Sequence, residues 1–308
     1  MVSTDKTVLF LMGPTASGKT DFAIELAQHF SARLISVDSA LIYKDMDIGT
    51  AKPDANTLKK YPHHLINICK PEQSYSAHDF VLDAKAQIET AFDHHQLPIL
   101  VGGTSFYFNA LEHGLSNLPE STSASRQKFN QLLQDKGSAK LHQDLAKIDE
   151  KAALRIHPND SQRVTRALEV FDLSGKTLSE LQGNKKPSIN YPIKKIILMP
   201  ERSELHQRIE ARFLSMMDNG FLDEVKHLKQ NPSLNEDLPS IRCVGYRQAW
   251  QYLNGEIDKP SMIERAIIAT RQLCKHQSTW LNAEKDALIM TKPDVKKAVE
   301  FIQDNSKT

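Results

Sequence analysis

Residues Gly13-Pro14-Thr15-Ala16-Ser17-Gly18-Lys19-Thr20 fit the pattern G-x-x-x-x-G-K-[ST] in full. Glycines let a backbone wrap closely around phosphate oxygens, successive N–H groups supply donors, and a following helix N-terminus adds positive potential. The pattern assigns Lys19 to a phosphate as a full charge and the Thr20 hydroxyl to Mg²⁺. Nucleotide hydrolases built on this loop carry a metal-binding Asp at the end of an apolar strand. Here the apolar run 99–101 ends instead in Gly102-Gly103-Thr104, and the carboxylate is Asp38, after the run 33–37. In an open parallel sheet the strand ends line the ligand crevice, so Asp38 is expected to face the bound group as a general base. The plainer reading of Asp38 is a turn cap, since Ser39 follows. Two chemistries need this cradle and this base. One is phosphoryl transfer to a nucleoside or small metabolite; the other is a group transfer in which diphosphate leaves.

The elements around these residues alternate. The apolar run 7–12 ends in the glycine-rich turn and predicts a buried strand, and 18–30 carries Phe22, Ile24, Leu26, Ala27 and Phe30 at helical spacing. Runs at 33–37, 64–68 and 97–101 predict further strands, with a helix over 77–92. This βαβ rhythm predicts a parallel sheet with helices on both faces. From 118 to 191 strand patterning stops, and helical periodicity appears at 125–133, 139–148 and 161–173. A strand at 194–199 follows, then helices over 204–217, 221–229, 246–253 and 261–281, a strand at 287–290 and a helix at 295–304. The expected fold is α/β: a P-loop NTPase-like parallel sheet core, 1–117 and 193–308, interrupted by an all-helical insertion, 118–192.

The total charge of +1 implies no partner, but its distribution is uneven. Residues 120–195 hold 14 Lys and Arg against 9 Asp and Glu, an excess of +5, which leaves −4 elsewhere. That asymmetry points toward a polyanion, against the plainer reading of a solvated helical face. Hydrophobic residues at 40% and charged residues at 25% describe an ordinary globular chain. Cys69, Cys243 and Cys274 are widely spaced with no CxxC pair, which argues against a zinc site or disulfide framework and predicts a reducing compartment. No apolar run reaches the length of a membrane span, so a cytoplasmic protein without membrane association is expected. His63-His64 and His94-His95 are adjacent pairs whose side chains diverge, and structural or surface roles are expected for them.

Longer blocks are more specific. Asp38-Ser39-Ala40-Leu41-Ile42-Tyr43, Met46 to Pro53, His63-His64-Leu65, Val101 to Tyr107, Asp160 to Glu169, Arg242 to Arg247 and Ala269 to Leu273, added to the phosphate loop, resemble the tRNA dimethylallyltransferases, the bacterial isopentenyl-tRNA transferase family. The resemblance runs from Gly13 to about Leu281. It implies transfer of a dimethylallyl group from dimethylallyl diphosphate to N6 of the tRNA adenosine next to the anticodon (adenosine-37), with Mg²⁺ as cofactor and diphosphate released. It also implies that the helical insertion grips the anticodon stem-loop. A monomer is expected.

The resemblance gives the residues roles. Gly13, Pro14, Thr15, Ala16, Ser17, Gly18, Lys19 and Thr20 would hold the donor diphosphate, with Mg²⁺ on Thr20. Arg208 or Arg212 would add a cation, against the plainer reading of solvated helix arginines. Lys19, Thr20, Asp38 and Thr104 form the expected catalytic set, with Asp38 taking the amine proton. Contacts to tRNA would come from Asp38, Ser39, Ala40, Leu41 and Thr104, and from Arg126, Gln162, Arg163, Val164, Thr165 and Arg166 of the insertion. Arg242, Cys243, Val244, Gly245, Tyr246 and Arg247, with Lys275, His276 and Gln277, would complete that surface. Two positions depart from the family pattern: His276 stands where Arg is usual, and Asn282 where a basic residue is common. The chain lacks the Cys/His zinc-finger cluster of eukaryotic relatives, which predicts the bacterial branch.

Overall fold

A computed structural model of the chain describes residues 6–183 and 185–304. Residues 1–5 and 305–308, at the ends of the expected core segments, and Asn184 of the expected insertion lie outside the described residues. Six strands form one sheet: β1 (Val8–Met12), β2 (Ala32–Val37), β3 (His63–His64), β4 (Leu97–Gly102), β5 (Ile193–Leu198) and β6 (Ala287–Met290). They lie in the order β3-β2-β4-β1-β5-β6, and every pairing is parallel.

Helices cover both faces of the sheet, so β1 is buried along its whole length and reads as an unbroken apolar run. Leu9 and Leu11 join a cluster with Phe22 and Leu26 of the helix Lys19–His29 and Ile302 of the helix Val295–Gln303. Phe10 meets Phe108 with ring centroids 4.9 Å apart. Each such burial contributes roughly 1.5–3 kcal/mol relative to exposure. A second cluster joins Ile42, Tyr43 and Met46 to the helices Arg202–Asp218, Phe221–Lys229, Tyr246–Leu253 and Lys259–Leu281.

One strand is shorter than its apolar run predicts. Of 64–68 only His64 pairs, with His63 before it, because Leu65 and Asn67 adopt φ of 65° and 57°. Left-handed residues cannot continue an extended ladder, so the chain turns away after two residues.

Two compact units emerge. The sheet unit runs to Ala110 and resumes at Ile189; Leu111–Ser188 forms the other. The second unit contains the helices Ser123–Lys136, Ser138–Ile148, Glu150–Arg155, Ser161–Ser174 and Leu178–Leu181, around Phe129, Leu141, Leu145, Val164, Ala167 and Val170. No strand occurs in it among the described residues. Within these bounds it holds 12 Lys and Arg against 10 Asp and Glu, so the +5 read from the sequence falls to +2. Lys194 and Lys195 belong to β5 of the sheet unit. Lys194 Nζ donates to the carbonyls of Phe301, Ile302 and Asp304, and Lys195 pairs with Glu284 at 2.6 Å.

Candidate active site

The ends of β1, β2 and β4 open into a cavity of about 540 Å³ within the sheet unit. Thr15, Lys19, Asp38, Thr104 and Arg212 line its polar part. Phe213, Met216, Val244 and Leu273 line its apolar part, and Phe106, 62% exposed, lies at its edge. Asp38 and the phosphate loop do not follow neighbouring strands, since β4 runs between β2 and β1. They nevertheless line the same cavity, and Gly103, just past β4, packs closely on Gln277. A Cβ on Gly103 would stand 2.5 Å from Nε2 of Gln277.

The phosphate loop is held from the helix Arg202–Asp218. Arg212 Nη2 donates to Thr15 Oγ1 at 2.6 Å, and Arg208 Nη1 reaches the carbonyls of Ala16 and Ser17. Arg208 also pairs with Glu204, and of these two arginines it is Arg212 that lines the cavity. Burial lowers the Lys19 pKa to about 8; attraction to Asp38 opposes this and repulsion from Arg212 adds to it. Burial also lowers Arg212, again against Asp38. Two partly desolvated cations thus face one cavity with a single carboxylate, Asp38, beside them.

Asp38 both caps a turn and faces the cavity. Its Oδ1 accepts from the N–H groups of Ala40 (2.8 Å) and Leu41 (3.3 Å), and Thr104 Oγ1 accepts from Ser39 N–H (3.1 Å). The turn cap read from the sequence is present, and it fixes a carboxylate that also lines the cavity. Cys243 lines the same cavity, but burial, then the negative charge of Asp38, pushes its thiol up to about 12, so it is no nucleophile at neutral pH.

Sequence reasoning missed Glu224. Its Oε2 accepts from the N–H groups of Asp47 (2.8 Å) and Ile48 (2.7 Å), and its Oε1 accepts from Gly49 N–H and Tyr246 Oη. One carboxylate thus holds the loop that brings Gly49 and Thr50 to the cavity wall. A Cβ at Gly49 would meet the rings of Phe221 and Tyr246 at 2.3 and 2.6 Å, so only glycine lets the loop seat. A Glu in the first turn of a helix, ahead of the apolar positions Val225 and Leu228, looks like an ordinary dipole partner and gives no signal of this contact.

A smaller cavity, about 70 Å³, is lined by Thr20, Ser36, Asp38, Thr50 and His63 among others. Ser17 Oγ, Ser36 Oγ and His63 Nε2 are buried without a hydrogen-bond partner. Leaving such groups unpaired costs about 1–3 kcal/mol each. No cluster of three His, Cys, Asp or Glu occurs among the described residues. Mg²⁺ needs no such cage, because it takes one or two protein oxygens and completes its shell with substrate phosphates and water. The hard oxygens of Thr20 and Asp38 on a polar cavity fit that ion.

The residues expected to touch tRNA separate into exposed and buried ones. Ser39, Arg126, Gln162, Arg163, Arg242, Arg247, Lys275 and His276 are exposed, and Ala40, Leu41, Thr165, Val244 and Gln277 partly so. Arg163 lies 3.4 Å from Asp160. Four side chains have other work. Val164 is fully buried in the helical unit, and Tyr246 is fully buried in the sheet unit. Gln277 Oε1 accepts from Thr15 N–H and its Nε2 donates to Gly103 O, tying the phosphate loop to the end of β4. Arg166 donates to Ser121, Glu169 and the Pro119 carbonyl. Periodicity put Arg163 and Arg166 on one face; it could not show that a buried Glu169 engages the second.

No helix among the described residues is long and apolar enough to cross a membrane. The family model for IPP transferases matches residues 41–284. The tRNA dimethylallyltransferase of Ruthia magnifica subsp. Calyptogena magnifica is 74% identical over 301 residues, 98% of this chain and 99% of that protein. Its counterpart in Alkalilimnicola ehrlichii is 51% identical over 288 residues, 93% and 91% of the two chains. The solved full-length tRNA isopentenylpyrophosphate transferase of Bacillus halodurans is similar with a TM-score of 0.70 at 34% identity, covering 97% of this chain and 95% of that one. A eukaryotic dimethylallyltransferase solved acting on tRNA gives 0.74 at 29% identity, covering 90% and 70%. The chain belongs to the tRNA dimethylallyltransferase family.

Proposed function

We propose that this chain transfers a dimethylallyl group from dimethylallyl diphosphate to N6 of the tRNA adenosine next to the anticodon. The observation that carries the reading is one cavity with Lys19 and Arg212 at the phosphate loop, Asp38 facing the same space, and apolar walls at Phe213, Met216 and Leu273. The diphosphate binds the loop, and the isoprenoid lies along the apolar wall. In the transfer N6 bonds to C1 of the isoprenoid. The C1–O bond breaks with its electron pair going to diphosphate, and Asp38 takes the N6 proton.

Lys19 and Arg212 stabilise charge as it develops on the leaving group. Asp38 Oδ1 is held by two backbone N–H groups, which orients the carboxylate so that Oδ2 can meet the amine. Mg²⁺, held by Thr20, would supply further positive charge to the diphosphate oxygens. The adenosine must leave its stack to reach Asp38, and the exposed Phe106 ring at the edge of the cavity offers it a stacking surface. Exposed cations, among them Arg126, Arg163, Arg242, Arg247 and Lys275, suit tRNA phosphates.

The test is a transfer assay with purified chain, Mg²⁺, labelled dimethylallyl diphosphate and unmodified tRNA, without ATP. Label on the adenosine beside the anticodon is expected. No label there, together with transfer of phosphate from ATP to a small acceptor in a parallel assay with ATP supplied, would replace this reading with a kinase.

A further inference from the structure

The small cavity beside the phosphate loop has a wall that the transfer mechanism leaves unused. Ser36 is 2% exposed and His63 9% exposed, and both line this cavity with Thr20 and Asp38. Ser36 Oγ and His63 Nε2 have no hydrogen-bond partner. Their placement follows from the sheet. His63 is in register with Leu34, so Ser36, two residues further along β2, lies on the same face as Leu34. Leu34 packs with Phe22 and Ala23 of the helix that begins at Lys19 and carries Thr20.

The chemistry of the histidine narrows the ligand. His63 Nδ1 lies 2.8 Å from the carbonyl oxygen of Tyr61. A carbonyl only accepts, so the ring proton is on Nδ1 and Nε2 presents a lone pair. An acceptor of this kind rejects phosphate oxygens, which also have only lone pairs to offer. It requires a donor or a cation. A histidine fixed by a backbone carbonyl through its other nitrogen is the usual arrangement in and around metal sites. Mg²⁺ keeps several of its waters, and those waters are polarised into strong donors. At about 70 Å³ the cavity has room for a few waters.

We infer that Ser36 and His63 form the outer wall of the divalent-cation site at Thr20, each accepting a hydrogen bond from a metal-bound water. This rests on the proposed seating of the cation on Thr20. The two residues are positioning groups: they touch neither donor nor tRNA, and they act by fixing the cation's water shell.

The test uses the full chain with Mn²⁺ as a paramagnetic probe and inorganic diphosphate as the anion, read by electron paramagnetic resonance titration. His63→Ala is expected to weaken Mn²⁺ binding to the diphosphate complex by about tenfold, and Ser36→Ala by a smaller factor. His63→Gln, which restores an acceptor, is expected to recover part of the loss. Diphosphate binding without metal should be unchanged in all three. Unchanged Mn²⁺ affinity in His63→Ala, with Thr20→Val losing the metal, overturns this inference and leaves the function standing. Unchanged affinity in Thr20→Val as well shows that the cation is not seated on Thr20, and both readings of that site fall. If His63→Ala does not fold, as judged by circular dichroism, Ser36→Ala and His63→Gln decide the matter, and wild-type affinity in both overturns the inference.

Discussion

One charge cluster of the helical unit and one of the sheet unit are built in opposite ways. In the helical unit Glu169, 4% exposed, accepts from Ser121, Ser125 and Arg166, while Arg166 also donates to the Pro119 carbonyl. Burial alone would raise the Glu169 pKa, but these hydrogen bonds outweigh it and hold the carboxyl below its ordinary range. The pair is closed: both charges meet their partners within the unit. In the sheet unit Lys19, Arg212 and Asp38 surround a cavity, and burial lowers the pKa of both cations. That arrangement is open, and under the proposed function the donor diphosphate would complete it.

Substitutions can sharpen this contrast. Asp38→Ala should lower kcat by roughly 10²–10⁴ while diphosphate affinity is largely kept. Single-turnover transfer assays and equilibrium binding would check this; equal losses in both would make Asp38 a structural group. Arg166→Ala strips a buried carboxylate of its partner and should destabilise the chain by about 2–3 kcal/mol. A thermal melt would reveal it, and an unchanged melting temperature would show that the network is not closed.

Glu224→Ala releases the loop 46–51 and should reduce kcat about tenfold, with Glu224→Gln recovering part of the activity because its amide oxygen still accepts. Loss of activity with no recovery in Gln would assign the effect to the carboxylate charge. The smallest effect is on pH dependence. Lys19, lowered to about 8, loses its proton above that pH in the free enzyme, whereas bound diphosphate restores it. Diphosphate affinity should therefore fall as pH rises, roughly fourfold from pH 7 to about pH 8.5, and Lys19→Met should abolish the dependence in a calorimetric titration.

Much of the molecule is written in local patterns. The phosphate loop, the apolar strands and the long amphipathic helices follow from period and composition, since each is stabilised by neighbours a few residues away or by simple burial. The reading went astray where backbone conformation or distant residues intervene. Left-handed backbone at Leu65 and Asn67 cuts β3 to two residues, although nothing in a run of apolar side chains forbids a longer strand. Lys194 and Lys195 counted toward a basic insertion until β5 placed one on helix-end carbonyls and the other on Glu284.

The sequence alone determined which chemistry the chain can support. Gly13–Thr20 and Asp38 have the residue types for holding a diphosphate and removing a proton, and those types are a covalent property of the chain. Tertiary structure decided which groups share a space. β4 separates the strands that lead to Lys19 and Asp38, yet both residues line one cavity. Gln277, Glu224 and His63 acquire their partners from segments 262, 175–177 and 2 residues away. Hydrogen bonds depend on distances and angles in space, and for the first two of these residues no spacing along the chain encodes them.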